Sequence, residues 1–395
     1  MRDSEKSYFS RPKRFLWDIS GAFGDIGVLF PIAVALIVKN GFNPTALFFM
    51  AGIFYIVSSY YFKITMPVQP LKAMSAIAIA TGLGYEVINA AGITMGFLLL
   101  IISVTGVSVR LGNIFPVSVI RGIQLGLGLI LVKTSLSLIH PDISVAVVAG
   151  VILIASILVV KSIPPLIPLL LLTILISVKS MELPSFGPLS LTPRLPDTHN
   201  IWTGFTMLVL PQIALTFGNA IVATEATGRL LYGKRAESLT MKSIPMSMGI
   251  ANILSGIFGG APMCHGSGGL TAHCKFGATS ERSGYIIGFI LIGFAILFGG
   301  SSVAVISSFP KGILGILLCY VGIEHSLFIR DILKDRMALL LALTTALLGF
   351  ITGNLTIGFL TGIGIHYAFK GLLLTFKYPV KNWGEAMRDM ESSDM

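Results

Sequence analysis

Two short segments of this chain combine residues that stop a helix with residues that attract negative charge. The first is Pro67-Val68-Gln69-Pro70-Leu71-Lys72; the second is Pro262-Met263-Cys264-His265-Gly266-Ser267-Gly268-Gly269. Pro67 and Pro70 lack a backbone N–H and push the residues before them out of helical geometry. Downstream of each segment the pattern is helical again. One helix therefore begins near Pro70 and another near Ser267, each with unpaired N–H groups and the positive end of its dipole. Such ends hold anions. Lys72 adds a full positive charge in the first turn. Gly266 and Gly268 let backbone approach a ligand closely. Gln69, Gln212, Asn219, His265 and Ser267 supply neutral donors suited to the oxygens of an anion. The implied chemistry is binding, not bond-making. The sequence has no G-x-x-x-x-G-K-[ST] phosphate loop and no Ser/His/Asp or paired-carboxylate pattern, so it reads as a non-enzyme without a cofactor.

Asp25 is the ionisable residue that stands out inside an apolar stretch, GAFGDIGVLF. An ionisable group in such a setting is costly and usually functional. It fits four roles: binding a coupling cation, carrying a proton, bracing Lys72, or bonding a neighbouring helix. His265 fits either hydrogen-bond donation or proton transfer. Cys264, His265, His273 and Cys274 are residue types that bind zinc, but their spacing matches no common site, so no metal is read here. Glu225 and Arg229 stand at i,i+4 and pair as a surface couple. Arg121 serves a cytoplasmic gate or simply snorkels.

The elements that must position these residues are membrane helices. The chain of 395 residues is 54% hydrophobic and 12% charged, with a mean hydropathy of +0.86. A soluble protein carries about twice that share of charge. The net charge of +10 reflects orientation signals at loop ends rather than nucleic-acid binding, because no basic stripe with interleaved aromatics accompanies it. Three cysteines give no disulfide framework.

The chain also repeats itself. Phe23-Gly24-Asp25 returns 194 residues later as Phe217-Gly218-Asn219, Phe115-Pro116 as Phe309-Pro310, and the two helix-breaking segments share nearly that offset. The reading is fourteen spans, seven per repeat, with the third and tenth short and broken. The expected organisation is a cytoplasmic segment 1–14, a first repeat 15–178, an extracytoplasmic proline-rich linker 179–202, a second repeat 203–376 and a cytoplasmic tail 377–395. Placing Arg11, Lys13 and Arg14 inside puts most cations inside as well, including Lys63, Arg110, Lys161, Lys234, Arg235, Lys242, Arg330 and Lys334. Few fall outside, among them Lys39, Lys133, Lys179, Arg194 and Lys311. An odd number of spans per half then makes the second repeat inverted. A twelve-span count that treats the broken pair as loops gives a similar charge balance. Inverted repeats in an apolar chain are a transporter signature, with the substrate held at the repeat interface.

These motifs resemble those of the molybdate transporter family, a branch related to the SulP sulfate permeases. The residues that carry the resemblance are Phe23-Gly24-Asp25-Ile26-Gly27 with Pro31, Met66-Pro67-Val68-Gln69-Pro70-Leu71-Lys72, Pro211-Gln212 with Gly218-Asn219-Ala220, and Pro262–Gly269 with Phe276-Gly277. The resemblance spans about residues 15–375. Ser267 departs from it, standing where relatives often carry alanine. It implies an all-α, seven-plus-seven inverted-repeat membrane fold. In that fold the first, third, eighth and tenth spans form the substrate core, and the fifth to seventh and twelfth to fourteenth form a gate.

The combined expectation is a secondary-active importer of a tetrahedral oxyanion in the plasma membrane, molybdate first and sulfate second, with both termini cytoplasmic. An anion channel and a nucleobase carrier on the same fold are the alternatives. A dianion entering a negative-inside cell works against about 4–5 kcal/mol per 100 mV, so coupling to a proton or sodium ion through Asp25 or His265 is expected. The partners are the anion, the coupling ion, the lipid bilayer and, as an assembly the sequence leaves open, a second copy of the chain as a homodimer.

Overall fold

The computed structural model describes residues 14–107, 116–159, 166–177, 191, 193–278, 280–297 and 310–373, and among these described residues the helices group into fourteen segments. The first is split into α1 (Arg14–Ala22) and α2 (Ile26–Asn40). There follow α3 (Pro44–Phe62), the two-residue strand β1 (Gln69–Pro70), α4 (Lys72–Thr81), α5 (Tyr85–Thr105), α6 (Val117–Ile139), α7 (Ile143–Val159) and α8 (Leu166–Ser177). The second half opens with one long helix, α9 (Thr198–Ala236). It continues through α10 (Ser243–Phe258), β2 (Met263–Cys264), α11 (Ser267–Lys275), α12 (Arg282–Leu297), α13 (Lys311–Leu327), α14 (Arg336–Ile351) and α15 (Leu355–Leu373). Residues 1–13 of the expected first segment, the tail 377–395 and most of the linker 179–202 fall outside the described residues.

Local sequence sets the boundaries. Asn43 caps α3, accepting hydrogen bonds from the N–H of Thr45 and Ala46, with Pro44 in the first turn where its missing N–H costs nothing. Gly41, Gly82 and Gly259 close α2, α4 and α10 in the left-handed region. Many of the residues left exposed on the helix faces are large and apolar. Val147, Val151, Ile154 and Leu158 form one open stripe on α7, and Leu340, Leu343, Leu347 and Ile351 form another on α14. Such stripes suit contact with lipid. Among the described residues five helices are long and apolar enough to cross a bilayer, and the others are shorter apolar pieces.

The packing shows that the second repeat is inverted and interlocked with the first. Helix α3 packs on α12, and its counterpart α10 packs on α5, the counterpart of α12. Each contact is a glycine crossing. A Cβ on Gly52 would meet the Gly288 carbonyl at 2.6 Å, and one on Gly288 would meet the Gly52 carbonyl at 2.8 Å. Gly96 and Gly249 do the same at 2.8 and 2.9 Å. A third crossing lies on the pseudo-two-fold axis, where α6 meets its own counterpart α13 through Gly128 and Gly322, at 2.5 and 2.8 Å. Small residues permit the close backbone approach that membrane helix packing exploits.

The two breaks meet on the same axis. Strands β1 and β2 pair antiparallel, Gln69 opposite Cys264 and Pro70 opposite Met263. Sequence patterning does not reveal so short a ladder.

This packing predicts that Gly128→Val separates α6 from α13. Overpacking of this kind costs about 1–3 kcal/mol, so the purified variant should melt measurably below wild type in a detergent thermal-shift assay. Gly364→Ala, where an added Cβ meets nothing within 4 Å, is the control and should leave the melting point unchanged.

Candidate functional site

The site lies where the two broken segments converge. Helix α4 starts at Lys72 and α11 at Ser267, neither with a side-chain cap at its N-cap residue, Leu71 or Gly266. Backbone groups of the extended segments are satisfied across the repeat interface. The Leu71 N–H donates to the Pro262 carbonyl at 2.9 Å. Asn252, on α10, donates to the Met263 carbonyl at 2.9 Å and accepts from the Met263 N–H at 2.7 Å. Gln212, on α9, accepts from the Met74 N–H at 3.1 Å and donates to Thr216 at the same distance. The N–H groups that open each half-helix keep no helical partner.

A small pocket forms beside them. Its lining includes Lys72 from the first turn of α4, Gln212 and Asn219 from α9, Cys264 from β2, Gln124 from α6 and His325 from α13. Of the predicted site residues, Lys72, Gln212 and Asn219 line it directly. Ser267 joins through Asn219, donating to its side-chain oxygen at 3.0 Å and leaving the amide N–H₂ of Asn219 as a donor. Helix α9 reaches the site through a π-helical turn, Thr216–Val222, at the repeated Phe-Gly-Asn motif. The equivalent motif in the first half, Phe23-Gly24-Asp25, breaks the helix outright, with Asp25 at the N-cap of α2. Widened turns of this kind collect at functional sites because they free backbone and re-aim side chains.

The other predicted residues sit behind the pocket. Gln69 is fully buried and donates its amide to Asp25, itself buried. Both press on Gly269 of α11, where an added Cβ would fall 2.4 Å from Nε2 of Gln69 and 2.6 Å from a carboxylate oxygen of Asp25. Gly266 packs against the Gln69 side chain, while Gly268 faces open space. His265 spends both ring nitrogens on the protein. Nδ1 lies 2.8 Å from the Pro67 carbonyl, so it is the protonated nitrogen. Nε2 lies 3.1 Å from the Ser247 hydroxyl, which donates to it. The ring is fully buried between Phe54 and Phe62. In this conformation His265 is a cross-link between the breaks rather than a pocket wall. His273 is used the same way, through the Gly21 carbonyl at 2.7 Å and Tyr55 at 3.4 Å.

Away from the pocket, the expected Glu225–Arg229 pair forms at 2.7 Å. Arg121 is not a free snorkelling cation. It donates to Gln124 at 2.9 Å and pairs with Asp331 beyond α13. Gln124 and His325 were not foreseen as pocket residues. Each is a polar residue in an otherwise apolar span, a signal that was available. The face each would present was not.

What this arrangement can do is hold a small anion without chemistry: one lysine, open helix N-termini, and amide and hydroxyl donors in a buried cleft.

Comparison with known proteins agrees. The family described as "Molybdate transporter of MFS superfamily" matches residues 18–131 and 204–324, one block in each repeat. The chain is 29% identical over 400 residues to molybdate transporter 1 of Arabidopsis thaliana, covering 88% of this chain and 86% of that one. It is 27% identical over 410 residues to molybdate transporter 2 of the same plant, covering 89% and 87%. In fold it is similar to the transmembrane domain of the cyanobacterial bicarbonate transporter BicA, with a TM-score of 0.65 and 18% identity over 88% of this chain and 98% of that one. It is also similar to murine Slc26a9 in its inward-facing state, with a TM-score of 0.65 and 16% identity over 95% and 70%. With the family matched in both repeats and the broken-helix site built at their junction, the chain belongs to the molybdate transporter family.

Proposed function

We propose that this protein is a secondary-active importer of a tetrahedral oxyanion, molybdate first and sulfate second, working by alternating access in the plasma membrane with both termini in the cytoplasm. One observation carries this reading. The pocket is shared between the substrate-core elements α4, α9 and β2 and the gate helices α6 and α13. An anion bound there touches both bodies, so sliding one against the other opens the pocket to alternate sides.

In this reading the anion sits against the first N–H groups of α4 and α11. Lys72 offsets its charge. Asn219 and Ser267 donate to its oxygens, and Gly266 and Gly268 keep the second cradle free of side chains. Gln69, Gln212 and His265 hold the cradle's walls in place, and Asp25 braces Gln69 against α11. The expected coupling through His265 loses ground in this conformation, because both of its nitrogens are engaged within the protein.

Binding titrations of purified protein against molybdate, tungstate, sulfate and uracil test the substrate. Oxyanion binding with no uracil binding is the expected result; uracil binding alone overturns the reading. Lys72→Ala should weaken molybdate binding by about 30-fold or more, the cost of removing one partner of a desolvated charge contact. In proteoliposomes, uptake should stall when the driving ion gradient is collapsed, whereas passive current at channel rates would contradict a carrier.

A further inference from the structure

The on-axis helix pair carries an asymmetry that the fold does not require. Helices α6 and α13 run antiparallel: Gly128 lies against Gly322 and Ser326, and Gly315 against Ser135 and Ile139. That register sets Gln124 across from His325 at one end of the pair. At the other end their repeat equivalents, Leu318 and Leu131, face each other as buried apolar residues. One fold therefore accepts leucines at these positions. The polar pair stands only at the end that forms the pocket.

The His325 ring is held in one orientation. Its Nδ1 lies 2.9 Å from the Val321 carbonyl. A carbonyl only accepts, so the proton is on Nδ1, and Nε2 of the neutral ring presents a lone pair. His265 and His273 have both nitrogens bonded within the protein. Nε2 of His325 has no partner among the described residues and belongs to a side chain that lines the pocket. A lone pair facing an oxyanion is repulsive; a protonated Nε2 is a charged donor to it.

We infer that His325 carries the coupled proton. As the oxyanion enters the pocket, a proton from the outer solution adds to the Nε2 lone pair, and the resulting N–H donates to an anion oxygen beside Lys72. The proton leaves to the cytoplasm with the anion, and the ring returns to its neutral form. This rests on the proposed oxyanion reading. The dianion and the proton then cross together, so each cycle moves one net negative charge rather than two.

The charged surroundings favour this order of events. Lys72, on α4, shares the pocket and opposes a second positive charge while the pocket is empty. Arg121, on α6, stands 5.3 Å from the Phe328 ring, whose centroid is 6.1 Å from that of His325. Its charge is met by Asp331. Cys264 of β2 lines the pocket, and Asp25, at the N-cap of α2, is engaged by Gln69. Helix α7 has no titratable residue. Glu324, the neighbour of His325, is exposed. Lys133 and Asp142 lie farther along the packed helices, more than two turns from Gln124. An arriving dianion is thus the group that makes a protonated His325 favourable.

Calorimetric titration of the full-length protein with molybdate tests this, run at about pH 8, where a free imidazole is neutral, in two buffers of different protonation heat. Wild type should take up close to one proton per anion, and its affinity should weaken about tenfold per pH unit as pH rises, the slope for one linked proton. His325→Gln keeps a neutral donor and should bind with no proton uptake and a flat pH profile. Molybdate binding by wild type without proton uptake overturns the inference, and needs no variant to fold. A wild-type slope in His325→Gln overturns it as well. Absence of any molybdate binding to wild type would instead overturn the oxyanion reading on which it rests.

Discussion

Everything in this structure depends on how backbone broken inside a membrane is satisfied. No water is available in hydrocarbon, and each unpaired N–H or C=O there costs several kcal/mol. Two of the interruptions among the described residues lie before α4 and before α11. Neither break can satisfy itself. The β1–β2 ladder pairs one with the other, Leu71 donates to Pro262, and Asn252 bonds both backbone groups of Met263. The two halves therefore complete each other. The glycine crossings of α3 with α12, α5 with α10 and α6 with α13 bring the helices close enough for this to happen. The helix N-termini that the breaks create are the first turns of α4 and α11; Lys72 of the first lines the pocket, and Ser267 of the second reaches it through Asn219.

The duplication supplies the scaffold, and its departures from symmetry supply the site. Where the first half has Asp25 at an open break, the second has Asn219 in a widened turn. The acid is turned toward Gln69 and Gly269, and the amide is placed on the pocket. Lys72 has no cationic counterpart in the second cradle, which instead offers glycine backbone and Ser267. One half contributes charge and the other contributes close approach. Helices α6 and α13 repeat the division, with Gln124 and His325 at the pocket and leucines at the equivalent positions.

Much of this was legible in the sequence because proline, glycine and intramembrane charge act locally. Helix starts expected near Pro70 and Ser267 occur at Lys72 and Ser267, and the 194-residue echo marks the equivalent segments. Lys72, Gln212 and Asn219 could be singled out for the same reason. Three features were not legible. In spans that are apolar all round, periodicity does not say which face is inward, so Gln124 and His325 were not assigned to the pocket. A histidine in a glycine-rich break looks like a ligand contact, and only tertiary packing shows both nitrogens of His265 engaged by Pro67 and Ser247. A two-residue ladder has no pattern to read.

The central claim is that the anion occupies the junction of α4 and α11 against Lys72. Tungstate, an electron-dense mimic of molybdate, makes that directly visible. A structure of the purified protein with tungstate bound should show a single strong density peak within hydrogen-bonding distance of the first N–H groups of α4, beside Lys72 and Asn219. A peak elsewhere in the molecule, with that junction empty at saturating tungstate, would contradict the account.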